Sequence, residues 1–134
     1  MTRRTLCTVF LIATAGYFAT ALYLQSAFVD PRPTGRTVIQ LMGPYEKFGH
    51  ANISRGLAAL DGIADDPTNP HEERSPILLY EDGKLLGPAH SRFEYVRDQG
   101  AGRFGHWSKY GLIFSASDNT DPHTNGNHYW AVLP

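Results

Sequence analysis

The sequence predicts a mostly β protein, a small antiparallel sandwich or jelly-roll-like domain following one N-terminal transmembrane helix. Three observations carry that expectation. Thr5 to Val29 is a run of 25 residues without a charged side chain, placed directly after Arg3 and Arg4. The remainder alternates short β-branched or aromatic stretches with Gly, Pro, Asn and Asp, the pattern of many short strands joined by tight turns. The dipeptide Asp82-Gly83 sits between two apolar runs. It suits a type I′ hairpin, which needs positive φ at both central residues.

The apolar run would extend roughly 37 Å as a helix at ~1.5 Å per residue, enough to cross a hydrocarbon core of ~30 Å with some tilt. A cleavable secretory signal is the competing reading. Arg3 and Arg4, the apolar stretch and Ala19-Thr20-Ala21 fit one, and Thr2-Arg3-Arg4-Thr5-Leu6 loosely resembles a twin-arginine signal. The run continues past Ala21 to Val29, longer than a signal core needs, so residues 1–29 are expected to be a retained anchor. Arg3, Arg4 and the terminal amine favour a cytoplasmic N-terminus, with Arg32 and Arg36 on the far flank weakening the bias. The run holds no His and no acid, hence neither a metal-ligating imidazole nor a carboxylate for a proton path. Ala15 and Ala19 are four apart, as are Gly16 and Thr20. Small residues at that spacing let a second helix approach closely, with Tyr17 beside them.

Residues 30–36 read as a stiff linker, because two prolines exclude a continuing helix. Residues 37–134 form the expected exported β domain. Thr37–Met42 is a strand bounded by Gly43-Pro44. Residues 45–60 are ambiguous, and Ser54–Leu60 suits a short helical turn with Ile53, Leu57 and Leu60 on one side. Asp61–Arg74 reads as a solvated loop. Ile77–Tyr80 and Lys84–Leu86 flank the hairpin turn, and Pro88 ends the return strand. Ser91–Gln99 suits a short helix capped by Ser91 with Glu94 three residues on. Gly100-Ala101-Gly102 breaks it, and 103–107, 110–115 and 128–133 read as strands.

Residues 30–134 hold all 13 acids and ten of the 12 basic residues, a formal net of −3. That balance argues against nucleic acid as a partner, which needs clustered positive charge. The single cysteine, Cys7, lies in the apolar run, so the domain has no disulfide and must be held by its core.

Asp118, Asn119, Asp121 and Asn125 offer hard oxygen ligands for calcium, the one cofactor the sequence raises. The same residue types equally build tight turns through side-chain-to-backbone bonds. His50, His90, His106, His123 and His128 lack zinc-site spacing and have no cysteine partner. Trp107, Tyr110, Tyr129 and Trp130 could stack on sugar rings, fill the core or meet another protein. Glu81 with Asp82, and Glu94 with Asp98, are candidate acid pairs, but Glu81-Asp82 is better explained by its turn. Ser115 and Ser117 lack a nucleophile-elbow context. No catalytic residues are assigned, and the expectation is a protein that is not an enzyme.

From Ser75 onward a longer pattern emerges. It runs Ser75-Pro76-x-x-Leu79-Tyr80-Glu81-Asp82-Gly83-Lys84-x-Leu86-Gly87-Pro88-Ala89-His90-Ser91. It continues with Gly102-Arg103-Phe104-x-His106-Trp107. It ends Phe114-Ser115-x-Ser117-Asp118-Asn119-x-Asp121-Pro122-x-Thr124-Asn125-Gly126. This string resembles a bacterial β-module found beside envelope-glycan and polysaccharide-related enzymes, with Gly43-Pro44-Tyr45 and Gly49-His50 resembling its opening. The resemblance covers about 90 residues. It implies a β fold and suggests glycan contact, and it brings no catalytic constellation.

The expectation is a non-catalytic, single-pass accessory subunit of the bacterial inner membrane, its N-terminus cytoplasmic and its domain periplasmic. It would dock on integral-membrane subunits of a photosynthetic, respiratory or envelope-synthesis assembly, in contact with membrane lipid. Ala15, Gly16, Tyr17, Ala19 and Thr20 would meet partners in the bilayer, and Trp107, Tyr110 and Trp130 outside it. The alternative is a membrane-tethered carbohydrate-binding module using, for example, Trp107 with Asn125 and Arg103.

Overall fold

In the computed structural model, all residues are described except Met1, Thr2, Val29, Pro31 and Pro70. The outer limits expected for the anchor and the first proline of the linker therefore lie outside the described residues. The chain divides into two compact units, Met1–Asp30 and Pro31–Pro134.

The first unit is helix α1, Arg3–Ala27. Its segment Cys7–Ala27 is long and apolar enough to cross a membrane, and none of that span is buried. The Thr14 and Thr20 hydroxyls are taken up by its own backbone. Thr14 Oγ1 donates to the Phe10 carbonyl at 2.8 Å, and Thr20 Oγ1 to the Gly16 carbonyl at 2.9 Å. The helix thus presents few unmet polar groups, which an apolar surrounding requires.

The second unit is the antiparallel sandwich that the turn-rich, alternating sequence implies. One sheet consists of β1 (Thr37–Gln40), β8 (Tyr129–Leu133), β4 (Leu78–Glu81) and β5 (Lys84–Leu85), in that order. The other consists of β2 (Glu46–Phe48), β3 (Ala51–Ser54), β7 (Gly111–Phe114) and β6 (Phe104–Trp107). Side chains alternate across each sheet. Leu79, Tyr129 and Ala131 from the first sheet meet Phe104, Leu112 and Phe114 from the second in the main core. The Asp82-Gly83 turn has φ of 46° and 82°, as the dipeptide implies.

The region 45–60 departs from expectation. Ile53 belongs to strand β3 rather than to a helical turn, and the turn starts later, as a 3-10 helix at Ala58–Ile63. Residues 46–54 pair as a short hairpin with Glu46 opposite Ile53. Strands of three and four residues carry too few side chains to display a period. Ser91 does not cap the second helix, α2 (Phe93–Asp98). Arg92 stands at the cap without a side-chain bond, and Ser91 Oγ donates instead to the Pro88 carbonyl at 2.8 Å.

The outer faces of the two sheets are covered differently. On the first, Gly35 lies so close to Val132 that a Cβ there would collide with its side chain. The Arg32 guanidinium stands 6.0 Å from the Trp130 ring centre. On the second, α2 packs Val96 and Phe93 against Ala51, Ile53, Trp107 and Ile113, a satellite core outside the sandwich.

Candidate functional site

Beside α2 the outer face of the second sheet stays open as a groove of about 650 Å³. Its floor is built by strand alternation. Ile53 and Ile113 are cross-strand partners facing outward, and Trp107 at the end of β6 faces the same way. Gly105, two residues before Trp107, makes room for the indole. A Cβ at Gly105 would collide with Trp107 Nε1 and with the Ser91 carbonyl. The indole N–H donates to that carbonyl at 3.2 Å, and Trp107 is only 6% exposed. The floor therefore presents apolar surface and no free donor.

Two aromatic rings stand higher in the wall. Phe48 is 48% exposed and Tyr110 53%. Phe48 meets Phe93 edge to face, with ring centres 5.9 Å apart, and Arg97 lies over the far ring at 5.6 Å.

The rim is charged and mixed in sign. Arg55 grips Glu46 through two bonds, Nε to Oε1 at 2.8 Å and Nη2 to Oε2 at 3.1 Å. That contact holds the Glu46 carboxyl below, and the Arg55 guanidinium above, their ordinary values. Arg92 and Glu94 also line the groove. Neither side chain takes part in a hydrogen bond or a close ion pair among the described residues.

A second constellation, not anticipated from sequence, lies under the loop 61–75. Asp65 is fully buried although it sits in a stretch expected to be solvated. Its Oδ1 accepts the backbone N–H groups of Arg74 and Ser75 at 2.7 and 2.8 Å, and its Oδ2 meets His90 Nδ1 at 2.6 Å. Ser75 Oγ contacts His106 Nδ1 at 2.9 Å. The residue types are those of a nucleophilic triad, but the connections differ. The carboxylate orients His90 while the serine touches His106, so no single imidazole links serine to acid. Ser75 and His106 are both buried. What the arrangement does is tie the loop to β6, since the Asp65 N–H donates to the His106 carbonyl and the Asp65 carbonyl accepts from the Ser108 N–H, both at 2.9 Å. Burial lowers the His106 pKa against the opposing pull of Asp65 and Asp61, which favours the neutral ring.

The calcium candidates bond within the chain through several of their side-chain oxygens. Asp118 Oδ1 accepts from Thr120 N–H and Oγ1, and Asn119 Oδ1 from Ala101 N–H. Asp121 holds Lys47 Nζ at 2.6 Å and His123 N–H at 3.0 Å, which lowers its pKa, and Asn125 Oδ1 accepts Asn127 N–H. The bonds from Asp118, Asp121 and Asn125 to the N–H two residues on are Asx turns, whereas Asn119 reaches a distant loop. Among the described residues, no three His, Cys, Asp or Glu side chains cluster to hold a metal.

Glu81 ends β4 and Asp82 opens the turn, and the two carboxylates take different partners. Glu81 is buried, accepting from Tyr129 Oη at 2.7 Å, Asn127 Nδ2 at 3.0 Å and Ser117 N–H at 3.1 Å. Burial, reinforced by Glu81, raises the Tyr129 phenol well above its usual value and keeps it a donor. Asp82 accepts His128 N–H at 2.9 Å.

Of the expected partner residues, Ala15, Gly16, Tyr17, Ala19 and Thr20 are exposed along α1, and a Cβ on Gly16 would meet nothing within 4 Å. Tyr110 is exposed, Trp130 half-buried and Trp107 buried. Trp107 does not join Asn125 and Arg103 in a sugar patch. Asn125 is bound to Tyr129 Oη, and Arg103 to the Gly100 carbonyl. Sequence reasoning missed Phe48 and Arg92 and raised Glu94 only as an acid paired with Asp98; all three line the groove through the β2–β3 hairpin and the start of α2. No protein-family model matches the chain, and no curated protein or solved structure shows significant similarity to it.

Proposed function

We propose that this protein is a single-pass, non-catalytic accessory subunit that docks on a larger membrane protein complex. The observation that carries the reading is α1. It offers an unburied, apolar span from Cys7 to Ala27 that holds no His, Asp, Glu, Lys or Arg, and its small residues at four-residue spacing lie open. Apolar side chains in that number need lipid or other helices around them. The polar clusters of the domain support the same reading, because their groups bond to one another inside the fold. Arg3 and Arg4 favour a cytoplasmic N-terminus and an exported domain, in a bacterial inner membrane.

The test is purification of the tagged full-length chain in mild detergent, with mass spectrometry of what stays bound. A stoichiometric set of integral-membrane partners is expected, and Gly16→Ile should reduce their recovery while the chain still folds. Recovery as an isolated monomer contradicts the reading.

A further inference from the structure

We propose that the groove on the outer face of the second sheet binds a neutral saccharide, a pyranose ring or a short chain of them. The inference goes beyond the docking reading, which leaves the groove without a role.

Shape argues for a small ligand. A concavity of about 650 Å³ falls among small-molecule sites, which span ~300–1,000 Å³ and combine an apolar lining with a few polar groups.

The floor argues for a guest with an apolar face. Trp107 has committed its N–H to Ser91, so the floor offers only hydrocarbon and ring surface, while the Phe48 and Tyr110 rings stand half-exposed above it. One face of a pyranose carries mainly C–H groups and packs well on such surface.

The rim argues for a guest that is polar at its edges and carries no net charge. Arg55 and Arg92 face Glu46 and Glu94, two charges of each sign. An anionic or cationic ligand would meet its own sign in the same rim. Glu46 and Arg55 satisfy each other, while among the described residues Arg92 and Glu94, on either side of Phe93 in the chain, take part in no hydrogen bond, although the Arg97 charge acts on Glu94. Hydroxyls both donate and accept, so a polyhydroxylated ring can use both groups at once. A wholly apolar guest would use neither.

The experiment is titration of the full-length protein in lipid nanodiscs with malto-, cello- and chito-oligosaccharides. Polygalacturonate and a proline-rich peptide serve as charged and peptidic comparisons. The chain has two tryptophans, so Trp130→Phe leaves Trp107 as the only one and its emission reports on the groove. Calorimetry on the unsubstituted chain gives a second reading that does not depend on that change. A saturable response to at least one neutral series is expected, with affinity falling at least ~10-fold in Tyr110→Ala and in Arg92→Ala. Three results overturn the proposal: no saturable response to any neutral series, a response confined to polygalacturonate or the peptide, or unchanged affinity in both variants. Failure here leaves the docking reading standing, and recovery of a lone monomer leaves the saccharide site standing.

Discussion

The Asp65 corner and the groove share one residue pair of β6 and use it in opposite ways. Asp65 bonds to the backbone on both sides of Trp107, while the Trp107 indole, on the other face, floors the groove. In the corner a carboxylate, a serine and two imidazoles are consumed by each other and by backbone N–H groups. In the groove the chemistry looks plainer, yet among the described residues Arg92 and Glu94 take part in no hydrogen bond and two rings face solvent. The difference teaches that a side chain's type says less about its role than whether its bonding capacity is already used. Buried polar groups that are fully satisfied hold a fold together, and unsatisfied groups around a concavity are available to a ligand.

The strongest way to break this comparison is Asp65→Ala. It would leave the Arg74 and Ser75 N–H groups and His90 without their acceptor. A loss of about 3 kcal/mol is expected, read as a fall in the urea midpoint. A loss below about 0.5 kcal/mol would mean the corner is not structural.

Gly105→Ala should act on both regions at once. The added methyl displaces the indole from Ser91, with an expected loss of about 2 kcal/mol and a red-shifted Trp107 emission as its ring meets water. An unchanged spectrum would show that the glycine does not seat the ring.

A smaller effect follows from pH. Burial lowers the His106 pKa below its unfolded value, so between the two the unfolded chain binds a proton that the folded chain refuses. Its contribution is fully present above about pH 6.5 and is lost as pH falls through that value toward the lowered folded pKa, at no more than ~1.4 kcal/mol per unit. His106→Asn should flatten the urea midpoint in that window. The lowered Asp61, Asp66 and Asp118 act in the same direction, but only below about pH 4.

The smallest effect belongs to the groove's mouth. Tyr110→Ala and Arg92→Ala are expected to change stability by less than about 0.5 kcal/mol, because both side chains are exposed and Arg92 has no partner to lose. A larger loss would place them with the corner, as structural residues.

Much of the fold was legible because its signals are local. The uncharged run marks α1, Asp82-Gly83 marks the β4–β5 hairpin, and short apolar and aromatic runs mark β7 and β8. The β2–β3 hairpin was not, because Glu46–Phe48 is three exposed residues whose pairing is set by tertiary contact. Asp65 was hidden for another reason. Its neighbours Asp66, Pro67 and Asn69 read as solvent-facing, and only residues nine to 25 positions away explain its burial. The groove was visible only in part. Trp107 and Tyr110 stood out as aromatics and Glu94 as an acid, while Phe48 and Arg92 carry no sequence signal and are gathered by the fold.

The most direct test of the whole account measures two quantities on two variants of the full chain in nanodiscs. The variants are Asp65→Asn, which keeps the shape of the corner, and Arg92→Ala. The quantities are the urea midpoint and the affinity for neutral oligosaccharides. The account predicts a crossed pattern, with Asp65→Asn lowering the midpoint and keeping the affinity, and Arg92→Ala keeping the midpoint and losing affinity. Parallel losses in both variants, or a midpoint lowered by Arg92→Ala alone, would contradict the division between a structural corner and a recognition groove.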